Sequence, residues 1–161
     1  MEIRRLKTRK QFDMLSDEIK PILRTWIQRE GWVTGEQELF DELLFLSDSA
    51  ASSSTIWVGL TPIGTVGALA LATIGGATIR VDLLETARDI DDRLAAHQDV
   101  LEAIEQWAKG SGAKRLVYRT QRVRDREDGA VPERHIRRRL YPLGFRPVSV
   151  ELEKRLDNGE H

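Results

Sequence analysis

The chain has 161 residues, 40% of them hydrophobic, enough for one buried core and too few for two, so residues 1–156 read as a single domain and 157–161 as a flexible tail. With 25 basic and 26 acidic side chains, a formal net charge of −1 excludes a global field that would gather nucleic acid or an anionic membrane. The absence of cysteine excludes disulfides and thiolate chemistry, and no apolar run suits a bilayer span or a secretory leader, which points to the cytoplasm.

Residues 1–7 read as a short opening strand. Thr8 followed by Gln11 fits a capping box, and Phe12, Leu15, Ile19, Ile22, Leu23, Trp26 and Ile27 mark one helical face, with Pro21 kinking or splitting the helix. Gly31 closes it, and Thr34 with Gln37 offers a second capping box ahead of Leu39, Phe40, Leu43 and Leu44. The small polar residues of 47–54 read as a surface loop. Three β-favouring runs follow at 55–61, 66–73 and 78–87, separated by Pro62-Ile63-Gly64 and Gly75-Gly76, the pattern of an antiparallel meander. In the middle run Ala68, Ala70 and Ala72 alternate with Leu69 and Leu71, giving one bulky face and one shallow face on which a helix or a ligand lies close.

Asp89, Asp91 and Asp92 then gather acid where a helix N-terminus welcomes it. Leu94, Leu101, Ile104 and Ala108 repeat at helical spacing until Gly110 and Gly112, so a helix runs from about residue 91 to 109. Residues 115–120 form the next strand, which makes a β-α-β crossover and favours parallel pairing with the last meander strand. A charged loop covers 122–131, Pro132 sits at the first turn of a helix through Leu140, and Gly144 lies beyond its end. Phe145, Val148, Val150 and Leu152 alternate as one closing strand, with Ser149, Glu151 and Glu153 turned to solvent. There is no internal repeat.

This order resembles the GNAT superfamily of acetyl-CoA-dependent N-acetyltransferases. The resemblance lies in the meander ending at 82–87, the helix carrying Ala103-Ile104-Glu105-Gln106-Trp107-Ala108, and Leu143-Gly144-Phe145-Arg146-Pro147 before the final strand. It implies an α/β (α+β) GNAT-like acyl-CoA N-acyltransferase fold: a mixed central sheet of about six strands flanked by about four helices, two of them beside an acceptor site. It also implies transfer of an acetyl group from acetyl-CoA to a small-molecule or protein amine. The cofactor would lie along Leu83, Leu84, Glu85 and Ala87, and at the turn formed by Arg93, Leu94, Ala95, Ala96, His97 and Gln98. In the family this turn carries Arg or Gln, two residues, Gly, one residue, then Gly or Ala. Here Asp92 stands at the first position, with Ala95 and His97 at the glycines; a carboxylate repels a diphosphate, and side chains hinder backbone approach. Tyr141 is the family's proton-donor candidate, three residues before Gly144 where four is the common spacing, and Glu85 is the general-base candidate. The degraded turn also suits an alternative: an inactive GNAT-like fold serving as a structural or binding protein, for example a bacteriophage virion component engaged with a protein partner or with itself.

His97, His135 and His161 have no metal-ligand spacing, and helix capping accounts for the aspartates, so no metal is expected. Arg119, Arg122, Arg124, Arg126, Arg134, Arg137, Arg138, Arg139 and Arg146 give the final third a positive excess. They suit the 3′-phosphate of CoA, a nucleic acid backbone or an acidic protein surface, or else neutralise Asp125, Glu127, Asp128 and Glu133. Without interleaved aromatic residues, single-stranded nucleic acid is an unlikely partner. Helical spacing sets Arg134, Arg137 and Arg138 along one side and turns Arg139 elsewhere.

Overall fold

The computed structural model describes residues 1–30, 34–48, 52–120, 123–126, 129–148 and 151–157. The chain runs β1 (Glu2–Leu6), α1 (Arg9–Asp13), α2 (Ser16–Glu30), α3 (Glu36–Leu46), β2 (Ser54–Leu60), β3 (Val66–Gly75) and β4 (Thr78–Thr86). After the crossover helix α4 (Arg93–Gly110) come β5 (Arg115–Arg119), β6 (Val123–Arg126), β7 (Gly129–Pro132), α5 (Arg134–Leu140), a 3₁₀ turn (Tyr141–Leu143), β8 (Arg146–Val148) and β9 (Glu151–Arg155). Seven strands form one mixed sheet in the order β1-β2-β3-β4-β5-β9-β8, and β6 with β7 forms a separate hairpin. Among the described residues of the large sheet, only β4 and β5 pair in parallel, as the crossover through α4 requires.

The Thr8 box forms as read: Thr8 Oγ1 accepts from the Gln11 amide at 3.2 Å while Gln11 Oε1 accepts from the Thr8 amide at 3.2 Å. The break in the first helical stretch falls between α1 and α2, however, and Pro21 lies inside α2. The second box does not form; Gly35 is the N-cap of α3, and Gln37 turns its amide to Asp41 at 2.8 Å instead. Gly31 lies outside the described residues, as do the middle of the serine-rich patch at 49–51, Arg122, and His161 with the tail from 158.

Two expectations for the final third are corrected. Part of the charged loop is the β6–β7 hairpin, so Pro132 ends a strand, where its missing N–H is tolerated, and Glu133 precedes the helix. The single closing strand is a β8–β9 hairpin with Val148 opposite Glu151. Residues paired across antiparallel strands share a face, so the pairing of 148 with 151 shifts the phase of the period-two alternation by one residue between β8 and β9, and a reading at constant phase takes the two strands for one; Ser149 and Val150 lie outside the described residues. Glu153 faces Arg115, whose Nε and Nη2 donate to its two oxygens at 2.6 and 3.0 Å.

The sheet separates two apolar layers. On one face Val100, Leu101, Ile104 and Ala108 of α4 bury against Ala68, Ala70 and Ala72, each fully enclosed, so the shallow face of β3 is the bed of a helix. On the other face Phe12, Ile19, Leu23, Phe40 and Leu43 of α1–α3 cover Ile56, Val58, Leu69 and Leu83. The register between β3 and β4 shifts at Asp82, with Leu71 opposite Leu83 and Ala72 opposite Val81. This bulge resets the alternation of β4, so Val81 and Leu84 share the α4 face while Leu83 points to the other.

Candidate active site

Pairing between β4 and β5 starts at Thr78 opposite Arg115 and stops at Val81 opposite Tyr118. On its other side β4 stays paired with β3 as far as Thr86 opposite Ala68. Residues 82–86 therefore present one backbone edge to a fork that opens beyond Tyr118. The following turn is pinned to β3: the Ala87 amide donates to Gly67 O at 2.8 Å, and a Cβ at Gly67 would meet Ile90 Cδ1 at 2.6 Å. A larger residue there would force the Ile90 side chain aside.

Charged side chains from three elements gather at this end of β4. Glu85 is 1% exposed, and its Oε1 lies 3.1 Å from Arg29 Nη1 of α2 and 3.5 Å from Arg93 Nη2 at the start of α4. The same oxygen accepts from the Thr86 amide at 3.0 Å, and Arg93 Nε donates to Thr86 Oγ1 at 3.2 Å. Arg88 donates to Thr25 Oγ1 at 3.1 Å and to Gln28 Oε1 at 2.7 Å. Arg29, Arg88 and Arg93, with Thr25 and Gln28, line an open cavity of about 400 Å³. Three guanidiniums against one carboxylate make it an anion-attracting surface.

The helix N-terminus beside it is capped by the chain itself. Asp92 Oδ1 accepts from the Ala95 amide at 2.9 Å, and Asp92 O accepts from the Ala96 amide at 3.1 Å. His97 is 1% exposed, its ring lies 6.0 Å from that of Tyr118, and neither ring nitrogen has a hydrogen-bond partner among the described residues. Burial above all, then the charges of Arg139, Arg29, Arg93 and His135, hold its pKa well below the ordinary 6.5, so it is neutral. Burial also pushes the Tyr118 phenol up, which keeps its proton in place. Arg139 of α5 is half-buried near these groups, whereas Arg134, Arg137 and Arg138 are exposed.

On the α2–α3 side of the sheet a second, larger groove of about 640 Å³ lies beside the bulge; Trp26, Glu30, Leu39, Leu71, Asp82 and Thr120 are among its walls. Its Glu30 is close enough for its charge to raise the Tyr118 phenol further.

Of the site residues read from sequence, Glu85 and Arg93 meet at the fork and His97 abuts it. Leu83 and Leu84 are buried in opposite layers, Ala87 is half-buried on the α1–α3 side, Leu94 is half-buried, Ala95 exposed and Ala96 buried. Gln98 donates to Arg139 O at 3.4 Å. Tyr141 stands in the 3₁₀ turn with the Arg146 guanidinium 4.8 Å from its ring centre. Arg29, Arg88 and Tyr118 were missed as site residues: Arg29 lies on α2, far from β4 in sequence, whereas Arg88, next to Ala87, and Tyr118, an aromatic at the end of a short strand, carried local signals; Arg139 was read only as one of the arginine cluster.

No protein-family model and no curated protein matches the sequence. Among solved structures the chain is similar to the aminoglycoside 6′-N-acetyltransferase from Enterococcus faecium, at 10% identity and TM-score 0.71, covering 100% of both chains. It is also similar to an acetyltransferase of the GNAT family from Staphylococcus aureus, at 10% identity and TM-score 0.65, covering 97% of this chain and 100% of that one. The PaiA N-acetyltransferase from Thermoplasma acidophilum, in complex with coenzyme A, matches at 12% identity and TM-score 0.62 over 96% and 99% of the two chains. The chain thus has the GNAT acyltransferase fold.

Proposed function

We propose that the chain uses this fold to transfer an acetyl group from acetyl-CoA to an amine. The observation that carries the reading is the backbone edge at 82–86, which no strand of the described residues pairs beyond Val81 and whose Thr86 amide is held by Glu85 Oε1, an extended edge able to pair with the amides of a pantetheine arm. The residues fit the group in a particular way. The Asp92 carboxylate takes the Ala95 amide of the first turn of α4 and sets a negative charge there, so a diphosphate is held mainly by the side chains of Arg88 and Arg93, with Arg29 behind.

When bound, acetyl-CoA supplies the thioester that an amine attacks. Glu85, enclosed between Arg29 and Arg93, orients those guanidiniums. Tyr118, with its proton retained at the mouth of the fork, acts as a hydrogen-bond donor there. Tyr141 keeps its contact with Arg146 and is the secondary candidate for returning a proton to the leaving thiolate.

Calorimetric titration with acetyl-CoA tests the reading. A Kd of roughly 0.1–1 mM is expected, because the Asp92 carboxylate weakens the amide cradle. Replacing both Arg88 and Arg93 with Gln should weaken binding about tenfold or more, as two charge-assisted contacts are removed. No binding at millimolar ligand would overturn the proposal and leave a fold without its cofactor.

A further inference from the structure

We infer that the outer face of α5 is a docking surface for an acidic protein segment. The helix buries Ile136 and Leu140 and turns Arg134, Arg137 and Arg138 to solvent. Tyr141 keeps helical dihedrals, φ −61° and ψ −41°, so residues 134, 137, 138 and 141 stand at positions i, i+3, i+4 and i+7 of one ridge. Tyr141 is half-buried, and the Arg146 guanidinium lies over its ring. The carboxylates of this region are occupied elsewhere: Glu133 lies 3.5 Å from His135 Nδ1, Glu153 is taken by Arg115 at 2.6 Å and Asp157 by Arg155 at 3.0 Å. Among the described residues no ion pair reaches Arg134, Arg137 or Arg138. Arg134 moreover stands in the first turn of the helix, where the dipole disfavours a cation. Such a local cost is expected where a residue is kept for binding rather than for folding.

Guanidinium forks suit carboxylates and phosphates alike, and the surroundings select the carboxylate. The seven residues of α5 span about 10 Å, and three charges on so short an element give a nucleic acid duplex little hold. The exposed Asp89, Asp91 and Asp92 precede α4, and Gln98, about 9 Å along that helix from Asp92 at 1.5 Å per residue, donates to Arg139 O at 3.4 Å. A stiff polyanion laid across α5 therefore extends over this acid and is repelled, whereas a short acidic segment ends before it. Arginines flanked by a tyrosine are also the composition enriched at protein interfaces. The inference does not depend on acyl transfer.

The test is fluorescence anisotropy on the full chain, with a labelled oligoglutamate peptide and a labelled DNA duplex of equal total charge. At about 10 mM salt, where screening sets in only beyond about 30 Å, the peptide should bind saturably and more tightly than the duplex; at about 150 mM its affinity should fall severalfold. Changing Arg134, Arg137 and Arg138 together to Gln should weaken peptide binding about tenfold or more, with the thermal midpoint nearly unmoved because exposed charges contribute little to folding. No saturable peptide binding, tighter binding of the duplex, or a folded Gln variant that holds the peptide as the wild type does would overturn the inference. The wild-type comparison of peptide with duplex decides even if the variant fails to fold. Coenzyme A added at matched ionic strength should leave the peptide bound. Displacement would assign these arginines to the cofactor, ending the docking surface while sustaining the acyl-transfer reading.

Discussion

A proton added to His97 would place another cation beside Arg29, Arg93 and Arg139 in a space closed to water. The folded pKa lies below 6.5, so the unfolded chain takes up the proton first and low pH favours unfolding. The contribution to stability is complete above about pH 6.5 and falls as the pH drops, by up to about 1.4 kcal/mol per unit until the folded pKa is reached. Urea midpoints measured between pH 7.5 and 5 should show this slope, and His97→Leu should flatten it. Glu85 gives the complementary case. Its replacement by Gln leaves Arg29 and Arg93 facing each other, and a loss of roughly 1–3 kcal/mol is expected, discounted because both guanidiniums retain some solvent. An unchanged urea midpoint with a collapsed transfer rate would instead make Glu85 a base.

The element that holds the fork in place is α4, whose packing face crosses the three alanines of β3. Leu101 is 1% exposed, and Leu101→Ala should cost about 2–5 kcal/mol in chemical denaturation, the range for a buried leucine. A loss below about 0.5 kcal/mol, typical of a surface change, would contradict the packing. This helix and the meander were legible because their apolar periods are long and their ends carry glycine turns, Gly64 at φ 83° and Gly76 at φ 60° among them. Two short hairpins were not. The β6–β7 hairpin hides in a charged run, and in β8–β9 the alternation changes phase by one residue within strands of three and five residues, too short for the change to stand out.

At the scale of the molecule, the sequence revealed the strand that carries the candidate site but not the company it keeps. Glu85 was visible as an acid on that strand; its enclosure by Arg29 from α2 and Arg93 from α4 is a product of tertiary packing, which no local pattern encodes. The seven-stranded order has a further consequence for the way the chain is made. Because β9 lies between β5 and β8, β5 emerges from the ribosome with its outer edge bare and keeps it so until Glu151–Arg155 has been synthesised. The first four strands have all their neighbours within the chain already made, once β5 arrives. The nascent protein therefore passes through a stage with most of its sheet assembled and one edge still adhesive, a stage at which a chaperone, or a neighbouring nascent chain, meets the molecule before its own last strand does.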